Sequence, residues 1–295
     1  MQRETNTLGS GQVEHFRSLD SLGELLDTAK RVDGSEVTDF RYSCASLSGG
    51  FEFTHTNTLG EAIELCEYGW AEGRERVIEK IGNVAIDDAI ANLGNTIEYS
   101  FQVSGDEPDI DRYLADDPEN MIDPFIDPTK AGRNVKLIVN SGQHAFMEAD
   151  RIERRGVTVA VALDLLSTAG YGVELDMAER TSNYGGATVE YRIPIVESGS
   201  YVNVDTLSFC LIHPSFLRRL IFALNESEPE QLRQEMGFQS GSGYGRPEYL
   251  VLQEDENSVI VDKDDYLLES DEQIPEKAAE LVQRLIDTAS QQAIQ

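Results

Sequence analysis

Residues 135–178 alternate an apolar strand pattern, a turn, a long helical pattern and a second apolar strand pattern, and this order constrains the fold more than any other feature. The first strand is expected over residues 135–139, followed by the turn Asn140-Ser141-Gly142-Gln143. A helix over residues 157–169 ends at Gly170, and residues 173–178 form the next strand. Residues 187–196 form a longer strand in which Val189, Tyr191, Ile193 and Ile195 alternate with polar positions. Period-2 segments joined by period-3.6 segments of this length define a layered α/β domain, a sheet with flanking helices.

The remaining segments extend this pattern. Residues 1–18, polar with Gly9 and Gly11, are expected to be a flexible tail, and Leu19, Leu22, Leu25, Leu26 and Ala29 trace a helix over residues 18–32. Residues 40–53 alternate like a strand broken at Ser48-Gly49-Gly50. Thr58 and Glu61 have the spacing of a capping box ahead of the buried face Ala62, Ile63, Leu65 and Cys66. A second helix follows over residues 72–93, with Trp70 plugging the joint. Residues 96–103 form a strand, and residues 104–131, acidic with four prolines, form a long surface connection. A helix over residues 205–225 is interrupted at His213-Pro214, because proline removes a backbone donor. Short strands over residues 249–252 and 259–261 and a helix opened by Pro275 complete the chain. The expected organisation is a tail (1–18), an N-terminal α+β region (19–131) and an α/β core (132–295).

Composition bears on habitat. Acidic residues number 54 against 24 basic ones, for a formal net charge of −30, and only six of the basic residues are Lys. Self-repulsion on that scale destabilises a compact state unless salt screens it, and molar salt shortens the screening length to about 3 Å. A halophilic protein is therefore expected. The hydrophobic content of 40%, arranged in periodic runs, argues against disorder, and carboxylates spread along the whole chain argue against a DNA mimic. Cys44, Cys66 and Cys210 sit among apolar residues with neither disulfide nor zinc spacing. No run approaches the roughly 18 apolar residues of a membrane span, and the first residues lack the apolar stretch of a signal peptide. A cytoplasmic location without membrane contact is expected.

Few residues have a pattern that catalysis requires. Of the four histidines, His15 falls in the expected tail, and His55 and His213 take turn or helix-break roles. His144 follows the turn at a strand's C-terminal end, where α/β proteins hold ligands. The binding candidates are accordingly Asn140, Ser141 and His144, with Arg154 and Arg155 nearby. Arg151, Arg154 and Arg155, or Arg218 and Arg219, would face phosphates if the partner were a nucleic acid, the alternative to a protein partner. Gly237, Gly241, Gly243 and Gly245 lack the Lys-Ser/Thr of a phosphate loop and read as a loop. Asp106, Glu107, Asp109 and Asp111 lack the glycine-turned spacing of a calcium loop.

Two resemblances add to this. TLGEAIELCEYGWAEG, DIDRYLADDPENM and RIERRGVTVAVALDLLSTAGYGVEL, in that order, resemble a family of uncharacterised proteins encoded by tailed viruses of bacteria and archaea, which implies a viral or proviral gene. RNVKLIVNSGQHAFMEADRIERRGVTVAVALDLLSTAGYGVEL resembles the first strand, metal-site turn and first helix of von Willebrand A-type domains, especially that of cobalt-chelatase subunits. Those domains hold a divalent cation on an Asp-x-Ser-x-Ser turn. Val139 and Gln143 stand here where the Asp and the second Ser belong, leaving Ser141, with Asp205 as a downstream stand-in. The expectation is a protein-interaction or assembly module of a haloarchaeal virus or provirus without a resident cofactor. The alternative is a metal-dependent (Mg²⁺) or nucleic-acid-processing enzyme using Ser141, His144 and Asp205.

Overall fold

Apolar runs that must leave water in alternation with amphipathic helices collapse into one sheet with helices against it. The computed structural model describes residues 1–7, 12–33, 54–82, 97–102, 107–108, 110–115, 117–126, 134–144, 147–197, 203–238, 243–251 and 258–292. In chain order the elements are β1 (Gln2–Thr7), β2 (Val13–Ser18), α1 (Leu22–Asp33), α2 (Leu59–Tyr68), α3 (Ala71–Gly82), β3 (Ile97–Gln102), β4 (Glu107–Pro108), α4 (Ile110–Leu114) and β5 (Met121–Ile126). They continue with β6 (Asn134–Asn140), α5 (Ala149–Thr168), β7 (Gly172–Ser182), β8 (Thr188–Val196) and α6 (Val204–Ile212). A π-helical turn (Phe216–Ile221) leads into α7 (Phe222–Ser227), followed by α8 (Glu230–Met236), β9 (Arg246–Pro247), β10 (Val259–Val261) and α9 (Ile274–Gln292).

Among the described residues, seven strands make one mixed sheet in the order β1-β2-β8-β7-β6-β10, with β9 pairing the far end of β7. β6 runs parallel to β7 on one side and to β10 on the other, so the strand order reverses at β6. β7 and β8 form an antiparallel hairpin. Leu137 and Val139 of β6, Leu175 and Met177 of β7, and Val189, Tyr191 and Ile193 of β8 project to the side where the helices pack. α5 lies against β7, α6 and α9, and α9 also covers β6 and β10. On the opposite side Ile138, Ala178 and Leu250 form a small second cluster with Ile260.

The α/β layering is as the sequence implies, and four details differ. The expected tail supplies β1 and β2, and β2 pairs in parallel with β8. His15 is buried there, hydrogen-bonded to Thr5 and Glu235, because a polar strand is stabilised by ladder bonds even without an apolar pattern. The N-terminal helices are not a separate region: Leu25, Leu59 and Ile63 belong to the same core as Leu165 and Phe209. Part of the expected connection over residues 104–131 is ordered as β4, α4 and β5, a second sheet in the order β3-β5-β4. Pro124 is tolerated in β5 because β4 pairs only with Met121 and Ile122, leaving Pro124's outer side off the ladder. The pattern at residues 249–252 is not a strand over its described part, and the ladder bonds fall to Arg246–Pro247.

The expected strand at residues 40–53, Cys44, and the helix beyond Gly82 lie outside the described residues. So do Asp106, Asp109 and Gly241. Thr58 caps α2 as expected, accepting from the Glu61 amide, while Glu61 reaches the amide of Asn57 rather than that of the cap. The helix break at His213-Pro214 separates α6 from the π-helical turn. Among the described residues no single helix is long and apolar enough to cross a membrane. The bent pair Val204–Ile212 and Phe216–Ser227 passes by composition, and its apolar residues are mostly buried core.

Candidate functional site: the polar corner at the β6 and β10 ends

β6 ends at Asn140, where the apolar run stops, and beside it β10 ends at Val261. Asn140 is fully buried and uses its whole amide. Its Oδ1 accepts from the Gly142 amide at 2.9 Å, and its Nδ2 donates to Asp262 Oδ1 at 2.8 Å and to the Glu248 carbonyl at 2.9 Å. Gly142 is needed because a Cβ there would stand 2.9 Å from Asn140 Oδ1 and 3.3 Å from Pro247 Cβ. The Ser141 hydroxyl donates to the Ala178 carbonyl at 2.9 Å. Arg155, from the second turn of α5, donates through Nη2 to the carbonyls of Asn140 (2.7 Å) and Val261 (3.1 Å), closing both strand ends. Burial pulls its guanidinium down to about 10, against the opposing pull of Asp265, Asp262 and Asp264, so it stays cationic at neutral pH.

The solvent side of this corner carries a connected chain of side chains. Lys263 Nζ donates to Asp264 Oδ2 at 2.6 Å, lies 3.4 Å from His144 Nε2 and sits 4.1 Å from the centroid of the Tyr249 ring. The Tyr249 hydroxyl donates to the same Asp264 oxygen at 2.6 Å. Lys263 and Tyr249 hold the Asp264 carboxyl below the usual carboxylate range. Asp262, Lys263, Asp264 and Tyr249 escaped sequence reasoning because β10 has only three residues and its C-terminal turn has no motif of its own. The signal available was position: the first residues after any parallel strand adjoin the same crevice.

Of the residues singled out from sequence, Asn140, Ser141, His144 and Arg155 meet here. Arg154 points to the chain's C-terminal part, bonding Asp271 and the Leu268 carbonyl, and Arg151 pairs with Glu269. Arg219 is buried and donates to the carbonyls of Thr56 and Asn57. Arg218 packs over Phe222, and burial lowers its pKa. Asp205 does not join Ser141 and His144. It opens α6 beside the α2–α3 joint, pairs with Arg74 at 3.2 Å, and its carbonyl accepts from the Trp70 amide. α6 packs along α2, α3 and α5, so Asp205 at its start and His213 at its end both meet the α2–α3 joint. Among the described residues no three His, Cys, Asp or Glu side chains converge at metal-holding distances. The glycine loop is pinned rather than free over its described part: Thr181 donates to the carbonyls of Tyr244 and Arg246, and a Cβ on Gly245 would fall 2.4 Å from Thr181 Oγ1.

Fold and site together define an α/β protein with a mixed sheet whose reversal point is closed by an internal clasp of Asn140, Arg155 and Asp262. The chain belongs to the family described as Domain of unknown function (DUF7192), whose model matches residues 4–288. No curated protein and no solved structure matches it.

Proposed function

We propose that this protein is a non-catalytic protein-interaction or assembly module, encoded by a virus or provirus and working in the cytoplasm of a haloarchaeal host. The clasp carries the non-catalytic part of the reading. Asn140, Ser141 and Arg155 spend their hydrogen bonds on backbone carbonyls and on one another, which fixes strand ends and leaves no poised nucleophile or base. The separation of Asp205 from Ser141 and His144 supports it further. The acid excess supports the halophilic setting, and the parallel β6–α5–β7 unit lies where the von Willebrand A-like resemblance does. The test is affinity purification at molar KCl from cells carrying the gene. A stoichiometric protein partner retained by His144→Ala and Lys263→Met is the expected result.

A second reading, a nucleic-acid-processing enzyme, is favoured by the connected chain in which buried Lys263 links the exposed His144, Asp264 and Tyr249. Turnover of single- or double-stranded nucleic acid that those same two substitutions abolish would establish it in place of the first.

A further inference from the structure

Gly69-Trp70-Ala71-Glu72 plays no part in the strand-end corner, yet it builds one wall of a cleft of ≈ 570 Å³ between the α2–α3 joint and the start of α5. That volume falls in the range of ligand sites. Gly73 is required for the wall: a Cβ there would lie 2.1 Å from Trp70 Cε3, so only glycine lets the indole rest on α3. Gly69 turns the chain at φ +97°, and its missing Cβ makes room for Asp205. The guanidinium of Arg76 stands 5.5 Å from the centre of the Trp70 ring. Trp70 in turn meets the His213 ring edge-on at 4.7 Å.

His213 and Pro214, at the helix break, form the facing wall. His213 is 5% exposed, and its Nδ1 accepts from the Ser215 amide at 3.2 Å. The proton of the neutral ring therefore sits on Nε2, which has no hydrogen-bond partner among the described residues. The wall is braced from behind. Ser215, fully buried, donates to the Thr54 carbonyl at 2.7 Å and meets the Thr56 hydroxyl at 2.6 Å, while Arg219 holds the carbonyls of Thr56 and Asn57. This bracing keeps His55, which also lines the cleft, at φ +56°. Glu61, Glu72, Asp150 and Glu153 line the rim, and Arg76, the one Lys or Arg lining the cleft among the described residues, is paired with Glu153. Glu72 and Asp150 have no hydrogen bond or ion pair among the described residues.

We propose that this cleft receives an arginine side chain from an extended segment of a partner protein. Glu72 and Asp150 face the guanidinium, Trp70 packs against its plane, and His213 Nε2 donates to a main-chain carbonyl of the segment. Arginine suits the site because a planar, weakly hydrated cation stacks on an aromatic face and bonds carboxylates at once. The inference rests on reading the protein as an interaction module and deepens it by naming what the partner presents.

Trp70 is the sole tryptophan, so fluorescence excited selectively in tryptophan, beyond the tyrosine absorption, reports on this cleft. The probe is acetyl-Ala-Arg-Ala-amide, titrated in molar KCl into the full chain. A saturable change in emission is expected, weakened about tenfold when citrulline replaces arginine, since one charge-assisted bond contributes that much. Glu72→Gln with Asp150→Asn, two exposed positions whose fold circular dichroism verifies, should weaken it similarly. His213→Phe should weaken the peptide while leaving agmatine, which has the guanidinium but no peptide carbonyl, unchanged. Equal binding of the citrulline peptide, agmatine binding as tightly as the arginine peptide, or no saturable change would each overturn the proposal. A partner recovered by affinity purification despite a silent cleft would overturn this inference alone. Peptide binding with no partner recovered would instead count against the interaction-module reading.

Discussion

At the residue scale the protein contains polar groups that burial has set against their ordinary chemistry. Asn140 makes three bonds with one amide, and each net bond contributes about 1 kcal/mol, with a further cost for any partner left unpaired. Asn140→Ala is expected to cost about 2–4 kcal/mol in chemical denaturation. Asn140→Asp should cost at least as much, because it sets a carboxylate against Asp262 and the Glu248 carbonyl. A smaller loss for the Asp variant than for the Ala variant would show that the amide donor is not what ties the strands.

Two buried titrating groups give stability opposite pH slopes. Burial, aided by His55 and Arg76, pushes His213 from 6.5 down to about 3. Between those values the unfolded chain holds a proton that the folded one lacks, so His213 removes stability as pH falls through that window. Burial, aided by Glu190, pushes Glu179 from 4.5 up to about 8. There the folded chain holds the extra proton, so Glu179 removes stability as pH rises from 4.5 toward 8. Each slope reaches at most about 1.4 kcal/mol per pH unit. Glu179→Gln should therefore be more stable than the wild type near pH 8 and indistinguishable from it near pH 4.5, as read from melting temperatures at both values. An equal offset at both pH values would mean that Glu179 stays ionised in the fold.

At the element scale the informative contact is between α5 and α6. Gly156 faces α6 so closely that a Cβ would fall 2.3 Å from the Leu211 carbonyl oxygen. In an exposed helix Gly→Ala gains about 1 kcal/mol from propensity. Here the obstacle is backbone, which cannot rotate away, and overpacking of this kind costs about 1–3 kcal/mol. Gly156→Ala is expected to destabilise the protein, and Arg155, one residue earlier, would lose its aim at the Asn140 and Val261 carbonyls. A stabilised Gly156→Ala variant would mean that the two helices sit further apart. Much at this scale was legible beforehand. The strand at residues 259–261, the break at His213-Pro214 and the Thr58 cap each follow from a local rule about period, proline or a side-chain oxygen. β1 and β2 were not legible, because their strand character comes from hydrogen bonds to each other and to β8, distant in sequence.

At the whole-molecule scale the net charge of −30 governs conditions more than shape. Circular dichroism in decreasing KCl should show cooperative loss of structure as screening fails; a melting temperature unchanged without added salt would separate the acidity from stability. The sequence by itself determined the α/β layering, the turn after β6 and several helix limits, because periodicity and caps act over a few residues. It also pointed to the corner where Asn140, Ser141, His144 and Arg155 meet. Only the tertiary structure decided that Asp262, Lys263, Asp264 and Tyr249 complete that corner, that Asp205 belongs elsewhere, and that Trp70 and His213 face one cleft. Those juxtapositions depend on which strands pair and on how α6 packs along α2 and α3, and no local pattern encodes a distance between residues so far apart in the chain.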